Sequence, residues 1–214
     1  MSASTQRLPA PGGLDPAGAG PLRSDLEVIA SLVREGTRVL DLGCADGTLL
    51  QMLIDRKQVT ARGVEITYEG VLSCVSRGIP VDHADLDRGL GDYPDNSFDY
   101  VILSQTLQAV HKPDLVIREM LRVGRVGIVS FPNFGYWYVR TRLLLTGRMP
   151  KSDYLPFEWY DTPNIHLCTI SDFVELCRKQ KIVIDKALYL NDGRRIRWFP
   201  NLLAKVAVFV VRRP

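Results

Sequence analysis

The strongest constraint on how this 214-residue chain can fold is an alternation of short β-rich apolar runs with amphipathic helical stretches. Residues 37–42 (TRVLDL) make a strand-length run, and 48–55 follow with Leu49, Leu50, Met52 and Leu53 at helical spacing. The unit then recurs. Residues 61–66 read as a strand, 68–76 as a helix with Tyr68, Val71, Leu72 and Val75 on one face, and 79–84 as a third strand. Ahead of these, Leu22, Leu26, Ile29 and Val33 predict a helix that ends at Gly36. The near-continuous apolar run 98–104 (FDYVILS) suits a buried parallel strand, and a short helix follows Pro113. A fifth strand, 126–131 (VGIVSF), stops at Pro132, which cannot continue a central ladder. Thr169 and Asp172 then predict a capped helix through Lys179, before two strands at 182–190 and 203–211 joined around Asp192-Gly193. The pattern predicts an α/β fold: a mostly parallel seven-stranded sheet with helices on both faces and a C-terminal antiparallel pair.

Size and composition narrow the function classes. A chain of this length buries one core, which predicts a single domain over 22–214 behind a leader at 1–21 rich in Pro, Gly and Ala. No apolar run nears the roughly 18 residues a membrane helix needs, and the leader lacks a charged start followed by an apolar core. Neither a membrane association nor export is expected, and the four cysteines, with no CxxC pairing, are read as reduced thiols of a cytoplasmic protein. A net charge of +3, from 27 basic and 24 acidic residues, is too balanced for a nucleic-acid surface. Arg194, Arg195, Arg197, Arg212 and Arg213 are accordingly read as a solvated face. His166-x-Cys168 is the one close pair of metal-type ligands and has no companions at zinc spacing, so no metal is expected.

The informative motif is Asp41-Leu-Gly43-Cys44-Ala45-Asp-Gly47, placed where the first strand turns into a helix. Small residues there let the backbone approach a ligand, and the helix N-terminus offers unpaired N–H groups. It departs from the dinucleotide fingerprint G-x-G-x-x-G, because Ala45 and Thr48 occupy the second and third glycine positions. Glu65, beside Ile66 at the end of the second strand, can accept from both ribose hydroxyls of a nucleoside. Asp85, just after the third strand, can accept from an exocyclic amine while Leu86 packs on the ring. Tyr68, Ser104, Gln105, Gln108 and Asn133 lie near strand ends at the mouth of the same crevice. None has a distinctive general-base setting, and no catalytic residue is assigned. Cys44 contributes its backbone, with no adjacent His to make it a nucleophile. Residues 131–168 hold nine of the chain's eighteen aromatics, which makes that excursion either a docking face or lid, or a satellite hydrophobic cluster.

This combination resembles the class I methyltransferase fold. That resemblance implies S-adenosylmethionine, or S-adenosylhomocysteine, as ligand, held by Asp41, Gly43, Cys44, Ala45, Gly47, Glu65, Ile66, Asp85, Leu86 and Ser104. Longer stretches are similar to the MetW family of methionine biosynthesis proteins: 39–47 (VLDLGCADG), 98–108 (FDYVILSQTLQ), 128–137 (IVSFPNFGYW), 147–150 (GRMP) and 155–170 (LPFEWYDTPNIHLCTI). The first is generic to methyltransferases and the later ones are specific. The family resemblance implies an S-adenosylmethionine-binding accessory partner of homoserine O-acyltransferase. The other reading is a catalytically active small-molecule methyltransferase.

Overall fold

The computed structural model describes residues 23–152 and 154–214; the leader expected at 1–21 and Leu22 lie outside the described residues. Strand β1 (Arg38–Leu42) pairs in parallel with β2 (Thr60–Glu65) on one side and with β4 (Phe98–Ser104) on the other. The parallel set is completed by β3 (Val81–His83) outside β2 and β5 (Gly124–Pro132) outside β4. Then β8 (Val206–Arg212) inserts antiparallel between β5 and β6 (Val183–Asn191), and β7 (Arg194–Arg195) closes the far edge. The order is β3-β2-β1-β4-β5-β8-β6-β7. It reverses direction between β1 and β4, the switch point where open α/β sheets leave a crevice beyond the carboxyl ends of the strands.

The sheet is the expected one with a short eighth strand added. Asp192 and Gly193 both take positive φ, 47° and 77°, which is the geometry of a tight hairpin turn. That turn joins β6 to the two-residue β7 rather than directly to the last strand, and the chain crosses residues 196–205 before β8 begins.

Alternation along β1 sends Leu40 and Leu42 to one face and Val39 and Asp41 to the other. On the Val39 face pack α1 (Ser24–Leu32), α2 (Thr48–Lys57) and α3 (Tyr68–Ser76), through residues such as Ile29, Leu50, Leu53 and Cys74. The other face takes Ile117 and Met120 of α4 (Pro113–Val123) and Phe173 of α6 (Ile170–Lys179). Leu49, Leu50, Met52 and Leu53 are all buried, as their spacing predicts. Two further helices, α5 (Trp137–Thr146) within the excursion and the short α7 (Pro200–Leu203), have no signal in the periodicity. Val139 is the one buried residue of α5, so no apolar stripe marks it.

Helix α3 reverses the expected face. Tyr68, Leu72 and Val75 are 63%, 50% and 59% exposed, while Gly70 and Cys74 point inward. Gly70 explains this: a Cβ there would sit 2.7 Å from Glu65 Cγ and 2.8 Å from the Ala45 carbonyl oxygen. Only the bare side of the helix fits against that wall.

Among the described residues no helix is long and apolar enough to cross a membrane. The core closes on Phe209, fully buried with ring centroids 4.7 Å from Phe173 and 5.9 Å from Phe131. Phe209→Ala is expected to lower the unfolding free energy by about 3–5 kcal/mol in urea titration. Leu144→Ala, at a side chain 83% exposed, is expected to change it by less than about 0.5 kcal/mol.

Candidate functional site

The crevice is built from the β1 carboxyl end outward. After Leu42 the chain turns tightly, with Gly43, Ala45 and Gly47 at φ 74°, 49° and 78°. Gly43 and Gly47 are forced: a Cβ on the first would lie 2.6 Å from the Thr106 side chain, and on the second 2.9 Å from Cys74 Sγ and Ile79 Cδ1. Ala45 tolerates the left-handed region at a local cost of about 1 kcal/mol.

The sequence predicts unpaired N–H groups at the N-terminus of α2, and the turn that leads into it holds its own amides as follows. Gly43 N and Cys44 N both donate to the Val64 carbonyl, at 2.8 and 3.1 Å. Ala45 N donates to Glu65 Oε2 at 2.8 Å, Gly47 N to the Cys44 carbonyl, and Thr48 N to Asp46 Oδ1. Five amides of the turn are therefore committed to its own framework.

Three carboxylates stand at three consecutive strand ends. Asp41 is 2% exposed, and its Oδ1 has no hydrogen-bond partner. Desolvation raises its carboxyl to about 7, with Arg23 opposing and Glu65 adding to the rise. Glu65 is 4% exposed; Oε1 accepts from Thr67 N and Thr67 Oγ1, both at 2.8 Å, and Oε2 from Ala45 N. Oε1 is thereby saturated, while Oε2 keeps one lone pair for a further donor. Asp85 leaves the sheet two residues beyond His83, the register partner of Glu65. Its Oδ1 caps a single 3-10 turn by accepting from Asp87 N at 2.9 Å, and Leu86 beside it is buried.

The remaining expected residues are distributed as follows. Ile66 is half-exposed, and its carbonyl accepts from His83 Nε2. Ser104 Oγ accepts from Arg23 Nη2 at 3.0 Å. Cys44 lies in the cradle with its sulfur 3.7 Å from Cys74 Sγ; the hydrogen bond to Cys74, then burial, hold its thiol far above the ordinary range. Tyr68 projects into solvent at the mouth. Gln108 is buried, with Nε2 bonded to the Gln105 carbonyl and Oε1 unpartnered. Asn133 is structural: Nδ2 donates to the Asn201 and Ala204 carbonyls and Oδ1 accepts from Gly135 N and Ile170 N. No group of three or more His, Cys, Asp or Glu among the described residues is placed to hold a metal.

One part of the site escapes sequence reasoning. At the start of α1, Arg23 forks onto Asp25, and buried Asp25 Oδ2 also accepts from Gln105 Nε2 and Ser130 Oγ, at 3.1 and 3.2 Å. This network bolts the N-terminus of α1 across the carboxyl ends of β4 and β5. Its partners on β4 and beyond, Ser104, Gln105 and Ser130, lie 80 or more residues from Arg23 and Asp25 in sequence, so no local spacing reveals it.

Comparison with known proteins gives the family and the fold. The family model "Methionine biosynthesis protein MetW" matches residues 23–211. A bifunctional methionine biosynthesis protein MetXA/MetW of Rhodopirellula baltica is 40% identical over 205 residues, covering 90% of this chain. The chain spans only 33% of that relative's length. Among solved structures, an S-adenosylmethionine-dependent methyltransferase of Mesorhizobium loti superposes with a TM-score of 0.68 at 17% identity, covering 90% of this chain and 99% of its own. The [4+2]-cyclase SpnF superposes with a TM-score of 0.62 at 19% identity, covering 89% and 79%. One architecture thus carries both methyl transfer and other chemistry.

Asp41 generates a pH test. Its folded-state pKa is raised, so between about pH 4 and 7 the folded protein holds a proton that the unfolded chain has lost. Stability therefore falls as pH rises through that window and levels off above 7. Relative to Asp41→Asn, the wild type is expected to lose on the order of 1 kcal/mol per pH unit from pH 5 to 7 in urea unfolding. A wild-type-minus-variant difference that stays flat with pH would refute the assignment.

Proposed function

The chain belongs to the MetW family of methionine biosynthesis proteins, and we propose that it binds S-adenosylmethionine and serves as an accessory partner of homoserine O-acyltransferase. Asp41 Oδ1, buried and unpartnered, is an acceptor in want of a cationic donor, and the ligand's ammonium is one. Glu65 is assigned the ribose hydroxyls, and Asp85 the adenine amine with Leu86 against the ring. Gly43, Cys44, Ala45 and Gly47 shape the floor, while Ile66 and Ser104 flank it. Carboxylates at the strand ends suit a cation bearing hydroxyls and an amine, and they repel a pyrophosphate. When bound, the ligand supplies an electrophilic methyl on sulfonium.

The observation that carries the partner reading is the bifunctional relative, whose name joins MetXA and MetW in one protein; we take MetXA to be the homoserine O-acyltransferase. Exposed apolar side chains support it. Leu144, Leu145, Trp159 and Tyr160 of the excursion are 69–83% exposed, and aromatic and aliphatic side chains of this kind fill the buried centres of protein interfaces. The excursion also has a satellite core of Tyr136, Val139 and Leu155. It is thus a packed platform that leaves other apolar groups facing water. We further take 22–214 as the single domain, 1–21 as a leader, and the cytoplasm as its compartment.

A second reading, a small-molecule methyltransferase, is favoured by Gln108. Its Oε1 is buried without a partner just beyond β4, where it could accept from a methyl-accepting substrate.

The deciding experiment titrates the cognate homoserine O-acyltransferase with this protein, with and without S-adenosylmethionine. Stoichiometric activation is the expected result; no complex and unchanged acylation would overturn the partner reading. Glu65→Ala removes charge-assisted hydrogen bonds of about 1.5–3 kcal/mol and is expected to weaken S-adenosylmethionine binding roughly tenfold to a hundredfold by calorimetry.

A further inference from the structure

We propose that Cys44 and Cys74 form a redox-reactive pair, which a peroxide oxidises to a disulfide that deforms the ligand cradle. Their sulfurs are 3.7 Å apart, and both residues are buried. Cys74 Sγ also donates to the Ala45 carbonyl at 3.5 Å, so the pair forms a chain from Cys44 through Cys74 to the cradle backbone. Cys168 and Cys177, by contrast, show no sulfur–sulfur hydrogen bond among the described residues; Cys168 Sγ donates to the Thr169 carbonyl.

The bond requires movement, and the packing says where. A disulfide is about 2.05 Å long, so the sulfurs must close by roughly 1.6 Å. Cys44 cannot retreat or swing freely. Its amide is bonded to the Val64 carbonyl, and its sulfur rests on Gly63, where a Cβ would lie only 2.4 Å away. Helix α3 is held more lightly, because it buries Gly70 and Cys74 while Tyr68, Leu72 and Val75 face solvent. Motion of α3 toward Cys44 carries Gly70 onto the Ala45 carbonyl and Glu65. The gap there is already too small for a methyl group. Oxidation is therefore transmitted to Ala45 and Glu65, the two residues whose hydrogen bond closes the turn.

The chemistry balances as two thiols plus hydrogen peroxide giving one disulfide and two waters. Cys74, as thiolate, attacks one peroxide oxygen; the O–O bond breaks, water leaves, and a sulfenic acid forms. Cys44 sulfur then displaces the sulfenic hydroxyl as a second water, forming the S–S bond, with the thiol protons ending on the two waters. Because both sulfurs are buried, peroxide reaches them when the cradle opens, so a bound ligand slows the reaction. This last consequence, and the effect on affinity, rest on the S-adenosylmethionine reading; the disulfide itself does not.

The test uses the full-length protein treated with hydrogen peroxide, read by mass spectrometry of a non-reduced digest and by amide hydrogen exchange over 43–47. A Cys44–Cys74 cross-link as the main product, with at least tenfold faster exchange in the turn, is expected. Dithiothreitol should reverse both, and Cys74→Ser and Cys44→Ala should each abolish them. S-adenosylmethionine should bind the oxidised protein at least tenfold more weakly and retard cross-linking. Oxidation without that cross-link, or a cross-link that leaves exchange in the turn unchanged, would overturn the proposal. If the reduced protein binds no S-adenosylmethionine, the ligand reading fails, while cross-link and exchange still decide this one.

Discussion

The architecture of the crevice hangs on one carboxylate. Glu65 holds the Ala45 amide with one oxygen and both the amide and hydroxyl of Thr67 with the other, each at 2.8 Å. Ala45 is the centre of the β1 turn, Glu65 ends β2, and Thr67 caps α3, so a single buried side chain joins three elements. The left-handed conformation of Ala45 persists because this bond and the flanking Gly43 and Gly47 determine the turn around it. The same contact dictates the facing of α3. With Ala45 and Glu65 as its neighbours, the helix can present only Gly70 and Cys74, and its larger apolar residues are turned to water. The shape of the crevice, helix orientation and thiol placement follow from one hydrogen-bonded joint.

A second set of polar contacts fixes everything on the other side of the switch point. Buried Asp25 gathers Arg23, Gln105 and Ser130, seating α1 over β4 and β5. Gln108 then serves the excursion through its backbone, since its carbonyl accepts from Ile165 N and His166 N at 2.8 and 2.9 Å. Asn133 ties the start of the excursion to its return at Ile170 and to α7. The excursion is held largely by amide chemistry at its roots. With the roots so held and a small core of Tyr136, Val139 and Leu155 inside, α5 can expose Leu143, Leu144 and Leu145 together.

The sheet was legible because its signals are local and redundant. β-rich runs, helical spacing at Leu49, Leu50, Met52 and Leu53, and the Thr169–Asp172 capping box each reflect short-range physics, and each recurs in the structure. The strand-end carboxylates Asp41, Glu65 and Asp85 were legible for the same reason, since their positions follow once the strands are placed. What spacing alone misread was α3. Periodicity identifies an apolar face but not which wall it meets, and Gly70, an apparent weakness in the helix, decides the matter. The Arg23–Asp25–Gln105–Ser130 network was illegible in principle, because its meaning depends on tertiary neighbours rather than on any pattern within α1. Helix α5 left no trace because Val139 alone of its residues is buried, in the satellite core, and one position makes no stripe.

Asp41 shows what the crevice gives up to exist. Placed on the same sheet face as Val39, it occupies a position that would bury an aliphatic side chain at no electrostatic penalty. Instead the protein buries a carboxyl whose Oδ1 has no partner and whose ionisation desolvation opposes. Arg23 relieves part of that opposition from across the crevice, yet its guanidinium hydrogen-bonds to Asp25 and Ser104. The local balance is left incomplete at one acceptor, beside a turn whose glycines keep space clear and next to a carboxylate with one lone pair to spare. A cationic ligand that completes it stabilises the folded state by its own binding free energy. Affinity for such a ligand and the stability of the fold would thus be two readings of the same unpaired oxygen.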